Sequence, residues 1–214
     1  MGRALVVVLV MLVAGLAGGF AFGELSNDGP GATAHPTPVP AEPSVPTPAS
    51  IVVLPDPDSP PLSVNVPTRP THLSTGRSGF GLTVDQPVGW RRNHLGETWT
   101  WAVPTNPINT YLLRVTILAG GHQSIAVAKQ ARISAFEDAV AQGNLSDFVV
   151  ESQTADTFIA SYINDGYRRV TMERIVPSEP GGSAYAVAAA TGREVDREGL
   201  TDLVQRTAGS MVVG

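Results

Sequence analysis

The chain has 214 residues, with 14 Lys and Arg against 19 Asp and Glu and a formal net charge of −5. This balance argues against a general attraction to nucleic acid or to an anionic membrane surface, because both require clustered positive charge. The chain contains no cysteine, which excludes disulfides, thiolate metal sites, a thiol nucleophile and a lipid-bearing cysteine.

The N-terminal region is strongly apolar. Residues 4–22 read ALVVVLVMLVAGLAGGFAF, without a charged or strongly polar side chain. A helix of this length rises about 28 Å, close to the ~30 Å hydrocarbon core of a bilayer. We therefore expect residues 1–23 to form a transmembrane helix or signal anchor that contacts the lipid bilayer through residues 4–22. Arg3 and the free amine would lie on the cytoplasmic side, and the C-terminal part of the chain would lie outside.

Cleavage as a secretory signal is the alternative to an anchor. The tripeptides Gly19-Phe20-Ala21 and Ala21-Phe22-Gly23 place small residues at the spacing that a signal peptidase recognises. In that case the chain would be secreted rather than held in the cell membrane.

A proline-rich segment follows the apolar stretch. Residues 24–76 contain 13 of the 18 prolines, and proline fixes φ and has no N–H to donate to a helix or sheet. We expect a disordered linker that samples polyproline II at about 3.1 Å per residue and spaces a domain away from the membrane. The short apolar run Ile51-Val52-Val53-Leu54 would either pair with a sheet edge or be loosely ordered.

Residues 77–214 have the periodicity of one globular domain. A first strand, Phe80 to Asp85, alternates apolar and small or polar residues and ends at the turn Pro87-Val88-Gly89-Trp90. Further strands are predicted at 98–103 and 111–118, and a helix at 124–142. The second half predicts strands at 148–154, 158–163, 167–176 and 183–190, and a helix at 195–210.

Short turns join the predicted strands of the second half. Asn164-Asp165-Gly166 predicts a hairpin turn, and Asp196 is placed to cap the last helix. Strands joined by hairpins indicate an α+β fold, in which an antiparallel sheet of about six or seven strands is packed by two helices.

This order of elements resembles a known fold. The Gly79-Phe80 strand running into Pro-x-Gly-Trp90 is followed by a Trp-bearing strand, a YLxV-type strand, a helix, hairpins and a last amphipathic helix. Over residues 79–214 the pattern resembles the Mog1/PsbP-like fold. It is similar in particular to tethered extracytoplasmic domains of actinobacterial membrane proteins, including LpqN-type and kinase-appended sensor domains. The resemblance implies binding or sensing outside the membrane, without catalysis.

The sequence offers little that is typical of an enzyme. No G-x-S-x-G motif occurs, and His94 and His122 each lie alone in polar turns without a second ligand at metal-binding spacing. The helical pair Glu137-Asp138 is typical of a solvated face. We therefore predict no catalytic residue, no metal and no cofactor.

The tryptophans are the candidates for a ligand or partner surface. Trp90, Trp99 and Trp101 could present an apolar platform to a sugar ring or a peptide; the competing interpretation is that at least one of them fills the core.

Arg168 and Arg169 are neighbours on one strand, so their side chains should point to opposite faces. For these two arginines we expect cross-strand ion pairs rather than an anion site.

Together these features predict a membrane-tethered extracytoplasmic binding or sensor/accessory module. Its partner would be an unknown extracytoplasmic protein or small ligand, and not nucleic acid. A deep groove beside Trp99 and Trp101 would favour a small ligand, and a flat apolar patch would favour a protein. The alternatives are a divergent secreted enzyme and a structural accessory of a cell-envelope complex.

Overall fold

The computed structural model describes residues 51–76, 80–104, 110–118 and 122–214. Its first strands are β1 (Thr68–Ser74), β2 (Gly81–Pro87), β3 (Arg91–Leu95), β4 (Thr98–Ala102) and β5 (Leu112–Ile117). Helix α1 (Ile125–Ala141) precedes β6 (Ser146–Gln153), β7 (Thr157–Asn164), β8 (Tyr167–Pro177) and β9 (Ala184–Gly192). A 3-10 turn (Glu194–Asp196), helix α2 (Arg197–Gly209) and the short β10 (Val212–Val213) complete the described chain.

A seven-stranded antiparallel sheet forms the centre of the domain. Its strand order is β3-β4-β5-β9-β8-β7-β6, and a separate three-stranded sheet has the order β1-β2-β10. The β7–β8 hairpin turns where predicted, with positive φ at both Asp165 (50°) and Gly166 (82°), as a two-residue hairpin turn requires. The predicted α+β fold with a seven-stranded sheet and two helices is confirmed.

Helix α2 and the small sheet cover one face of the large sheet. The apolar side chains of α2 are buried, and they pack on inward-facing residues of β4, β5 and β9 in one cluster; they are Leu200, Leu203, Val204 and Ala208. The largest members of this core are Trp99, Trp101, Leu113, Leu200 and Leu203.

Helix α1 covers part of the opposite face. Its N-terminus is capped by Ser124, whose side-chain oxygen accepts a hydrogen bond from Val127 N. Ala128 packs against Ile175 and Val187, and Ile133 packs against Phe158 and Ala160. The helix therefore covers strands β6 to β9 and leaves the β3–β5 side of this face without a helix.

Ordered structure begins earlier than the predicted boundary at residue 77. Thr68–Ser74 is a strand paired with β2, and Leu62 lies in the main core. Pro70, the one proline of this strand, fits here because β1 is an edge strand of the small sheet, where one side of the backbone needs no ladder partner. Residues 51–76 of the predicted linker thus belong to the folded unit, and residues 24–50 lie outside the described residues.

Strand β3 was not predicted, and the physical reason is its exposure. All five of its residues are exposed at the edge of the sheet, so no apolar alternation marks it in the sequence.

The predicted membrane segment, residues 4–22, lies outside the described residues. Among those that are described, no helix has both the length and the apolar character needed to cross a bilayer.

Candidate functional site

A cavity of about 310 Å³ opens at the end of the large sheet where the β7–β8 hairpin turns. Its walls include Leu112, Tyr162, Tyr167, Arg169 and Thr191. The strand register explains why these residues meet: Tyr162 lies directly opposite Arg169, and Leu112 lies directly opposite Thr191. Directly opposed residues in antiparallel strands share a face of the sheet, so four strands contribute side chains to one side.

The cavity exists because α1 covers only part of this face. The Phe136 ring lies 5.3 Å from the Tyr162 ring, and it also contacts the rings of Phe148 and Phe158. Nearer the hairpin, the sheet face is open. Tyr162 is therefore the boundary between the apolar packing under α1 and the polar cavity.

Arg169 is the cationic side chain of this cavity and is only 8% exposed. Its Nη1 donates to Asp56 Oδ1 at 2.7 Å and to the backbone oxygen of Arg168 at 2.7 Å. The guanidinium carbon lies 5.0 Å from the centre of the Tyr167 ring, within the range of a cation–π interaction. The position of the guanidinium is thus set by three separate contacts.

The remaining donors of Arg169 are not used within the described part of the chain. A guanidinium carries five N–H groups, and the two on Nη1 are taken, which leaves those on Nε and Nη2. Among the described residues, the only fully buried side-chain polar atom without a hydrogen-bond partner is Thr207 Oγ1. Since Arg169 lines the cavity, we infer that Nε and Nη2, which have no hydrogen-bond partner among the described residues, open into it.

The other polar side chains at the cavity are those of Tyr162, Asn164, Asp165, Tyr167 and Thr191. Burial raises the pKa of Tyr162 above its ordinary value, so its hydroxyl is protonated at neutral pH. The Tyr162 hydroxyl interacts with the side chain of Thr191, which in turn donates to Thr171 Oγ1 at 3.1 Å. The carboxylate of Asp165 is at the exposed hairpin turn, whereas Arg169 is the charged side chain that is buried at the cavity.

A buried ion-pair triad lies next to the cavity. The carboxylate of Glu173 is completely buried; Arg114 donates to it at 2.7 Å, and Arg132 donates to it at 2.8 and 2.9 Å. The hydrogen bonds to Glu173 raise the pKa of Arg132, while burial lowers that of Arg114. Two arginines against one glutamate leave this face with a local excess of positive charge.

The segment that supplies Asp56 runs across the domain before β1; we call residues 51–67 the strap. Leu54 N donates to Gly166 O at 2.8 Å, which fixes the strap to the hairpin turn. Arg193 then donates to the backbone oxygens of Pro57, Ser59 and Pro60 at 3.2, 3.0 and 2.9 Å. The strap is therefore anchored along its length by backbone contacts.

The pair Arg193–Asp196 is the centre of this anchorage. Asp196 accepts four hydrogen bonds, one from Leu62 N at 2.8 Å and three from the backbone and guanidinium of Arg193. Both side chains are buried, and the hydrogen bonds to Asp196 raise the pKa of Arg193. Asp196 lies at the start of α2 as predicted, but its side chain makes no capping hydrogen bond to that helix; it binds the strap instead.

The tryptophans do not form an exposed platform. Trp99 is 3% exposed and Trp101 is 1% exposed, both in the main core, and Trp101 Nε1 donates to Gln86 at 3.0 Å. The outer side of Trp99 is covered by His94, whose ring stacks on it at 4.5 Å. Trp90 is half-buried and lies 5.6 Å from the Tyr111 ring. Trp99 and Trp101 thus fill the core, in line with the interpretation that at least one tryptophan does so.

The two neighbouring arginines point to opposite faces, as alternation predicts. Arg168 is paired with Asp147 at 2.5 Å, and Arg169 is paired with Asp56 at 2.7 Å. The sequence pattern places Arg169 on one face of β8 with the polar residues Thr171 and Glu173. Nothing local in the sequence marks Asp56, which is 113 positions away.

A second cavity, of about 190 Å³, is bordered by Phe80, Leu118, His122 and Tyr185 and is largely apolar. The Tyr185 hydroxyl is held by the backbone of Gly81, accepting from its nitrogen at 3.1 Å and donating to its oxygen at 2.9 Å.

In the ranges that the structure describes, no three His, Asp or Glu side chains are grouped in a way that could hold a metal ion.

The chain matches no protein-family model, and no curated protein matches it. Three solved structures to which it is similar are the Ran-binding protein Mog1p of Saccharomyces cerevisiae, a Mog1 point mutant, and LpqN, involved in cell envelope biogenesis of Mycobacterium tuberculosis. The identities are 9%, 9% and 16%, and the TM-scores are 0.44, 0.45 and 0.39. The matches cover 69%, 69% and 68% of this chain and 96%, 96% and 90% of the matched chains. Similarity at this level says nothing about the function of this chain.

Proposed function

We propose that this chain is a membrane-tethered extracytoplasmic binding module without catalytic activity. The observation that supports binding is the cavity lined by Arg169, a nearly buried guanidinium whose Nε and Nη2 donors have no partner among the described residues. A cation with unfilled donors in a concave site favours recognition of an anionic group. A sensor or accessory protein needs a site that binds its ligand or partner. It does not need a side chain that takes part in a chemical reaction.

The chemistry around the cavity favours binding over catalysis. A nucleophile needs a base within hydrogen-bond reach. Of the hydroxyls at this cavity, those of Tyr162 and Thr191 interact with each other, and Thr191 donates to Thr171 rather than to a histidine or carboxylate. Burial raises the pKa of Tyr162, so its hydroxyl stays protonated and is not available as a base. These features speak against a divergent secreted enzyme at this site.

The proposed tether is supported by sequence composition. Residues 4–22 have the length and apolarity of a bilayer-spanning helix, and the proline-rich residues 24–50 would then lie between this helix and the folded unit. The strap joins that linker to the domain at the side where the cavity opens. In this arrangement the site would face the extracytoplasmic space.

An accessory role in an envelope complex is a second candidate, and one observation favours it. The strap begins with four consecutive apolar residues that are all exposed, Ile51, Val52, Val53 and Leu54. A contiguous exposed apolar run is typical of a surface that contacts another protein.

Membrane extraction tests the tether. We expect the full chain to stay with bacterial membranes after alkaline carbonate washing. The double variant Leu9→Arg with Leu12→Arg should be released, because each arginine at the centre of a spanning helix costs about 2.5–3.5 kcal/mol. The matched control, Leu25→Arg with Val39→Arg, adds the same charge in the linker and should remain in the membrane. Release of the unmodified chain into the soluble cytosolic fraction would refute the proposal.

A further inference from the structure

The strap places a carboxylate on the cationic side chain of the cavity. Asp56 binds Arg169 through one nitrogen only, Nη1, and its side chain is still 27% exposed. The other edge of the guanidinium, formed by Nε and Nη2, has no partner in the described part of the chain, and Arg169 lines the cavity. Resting on the proposed binding function, we propose that this free edge binds the carboxylate of a small ligand, and that Asp56 is its internal competitor.

Carboxylate is the anion that this geometry fits best. The Nε–Nη2 edge of arginine is a planar pair of donors that matches the two oxygens of a carboxylate in a bidentate hydrogen-bonded pair. Because Asp56 already pairs with Arg169, a ligand with a single negative charge suits the site better than a ligand with several. The neighbouring Arg114–Glu173–Arg132 triad adds a net positive charge on the same face, which also favours an anion.

The cavity sets the size of the ligand. A volume of about 310 Å³ is at the lower end of small-molecule sites, which measure ~300–1,000 Å³. Leu112 and the ring of Tyr167 supply apolar wall beside Arg169. The site therefore suits a compact acid with an apolar body, for which benzoate is a suitable probe.

Asp56 weakens this binding by charge repulsion. Two carboxylates on one guanidinium lie within a few Å of each other, where like charges repel. Neutralising Asp56 with a substitution of the same shape should remove that repulsion and leave Arg169 in place. We expect Asp56→Asn to tighten carboxylate binding by about tenfold or more.

The same chemistry has two possible sources, a free small acid or the C-terminal carboxylate of a peptide. Isothermal titration calorimetry on the full chain in detergent distinguishes them. One arm uses benzoate with benzamide as its neutral isostere; the other uses an N-acetylated tripeptide with a free C-terminus and its C-terminal amide. Binding of benzoate and not of the peptide identifies a small acid, and the reverse identifies a chain end.

Three variants decide the assignment. Arg169→Gln should abolish binding. Arg168→Gln, which removes the adjacent arginine on the other face, should leave it unchanged. Asp56→Asn should tighten it while retaining Arg169, so the test does not depend on whether Arg169→Gln folds. The proposal is overturned if the neutral amides bind as tightly as the acids, if neither acid binds Asp56→Asn, or if Asp56→Asn binds no more tightly than the unmodified chain. Because this titration does not depend on cellular location, its failure is distinct from failure of the proposed tether.

Discussion

At the scale of single residues, Thr207 is the clearest imperfection in the core. Its hydroxyl is completely buried in α2 and is the one such side-chain atom without a hydrogen bond in the described chain. Burying a hydroxyl without a partner costs roughly 1–3 kcal/mol. A valine of the same shape would remove this cost without creating a void.

We therefore expect Thr207→Val to raise the free energy of unfolding by about 1 kcal/mol, measured by chemical denaturation of the full chain in detergent. Thr201→Val is the matched control in the same helix, because the Thr201 hydroxyl donates to Arg197 O at 2.8 Å. Losing that bond should lower stability by about 0.5–1.5 kcal/mol. A less stable Thr207→Val protein would contradict the assignment of an unpaired hydroxyl.

At the scale of elements, the strap and α2 are in contact through a glycine. A Cβ on Gly199 would lie 2.7 Å from the carbonyl carbon and 2.7 Å from Cγ of Leu62, closer than atoms approach in proteins. The absence of a side chain at this position lets the strap lie directly on the helix. Leu62 N then reaches Asp196 at 2.8 Å.

Gly199→Ala should accordingly destabilise the domain by about 1–3 kcal/mol, although alanine is the better helix former. Gly209→Ala in the same helix is the control, since a Cβ there meets nothing within 4 Å; it should be neutral or stabilising by up to ~1 kcal/mol. Limited proteolysis should cut the strap faster in Gly199→Ala only. Equal stability of the two variants would show that the strap does not pack as described.

Elements with strict periodicity could be predicted from the sequence, and those without it could not. Strand β4 alternates buried tryptophans with threonines, and α2 repeats its apolar residues at helical spacing, so both were predicted. Strand β1 was hidden because Pro70 and the prolines that precede the strand are typical of a linker, and β3 because all its residues are exposed. The strap depends on contacts between Arg193 and residues 133 to 136 positions away, and such contacts leave no local pattern.

The candidate site, too, could be predicted only where a local sequence pattern marks its residues. Tryptophans are large and rare, which makes them natural candidates for a surface, but here they pack in the core because the small sheet and α2 cover them. Arg169 could be placed on a polar face of β8 by alternation alone. The cavity beside it depends on where α1 ends and on where the strap places Asp56, and both are properties of the tertiary structure.

For the whole molecule, we propose a membrane anchor followed by a domain whose cavity faces the outside of the cell. The absence of cysteine makes the topology directly measurable, because one introduced cysteine is then the only thiol. Glu137 is an exposed residue of α1, and Gly2 precedes the proposed anchor.

The most direct test is labelling of the full-length variants Glu137→Cys and Gly2→Cys with a membrane-impermeant maleimide in spheroplasts. We predict that the cysteine at position 137 reacts in intact spheroplasts and that the one at position 2 reacts only after lysis. Loss of position 2 from the mature chain would replace the anchor with a cleaved signal. If position 137 reacts only after lysis, the domain is inside the cell, and the proposal of an extracytoplasmic binding module is contradicted.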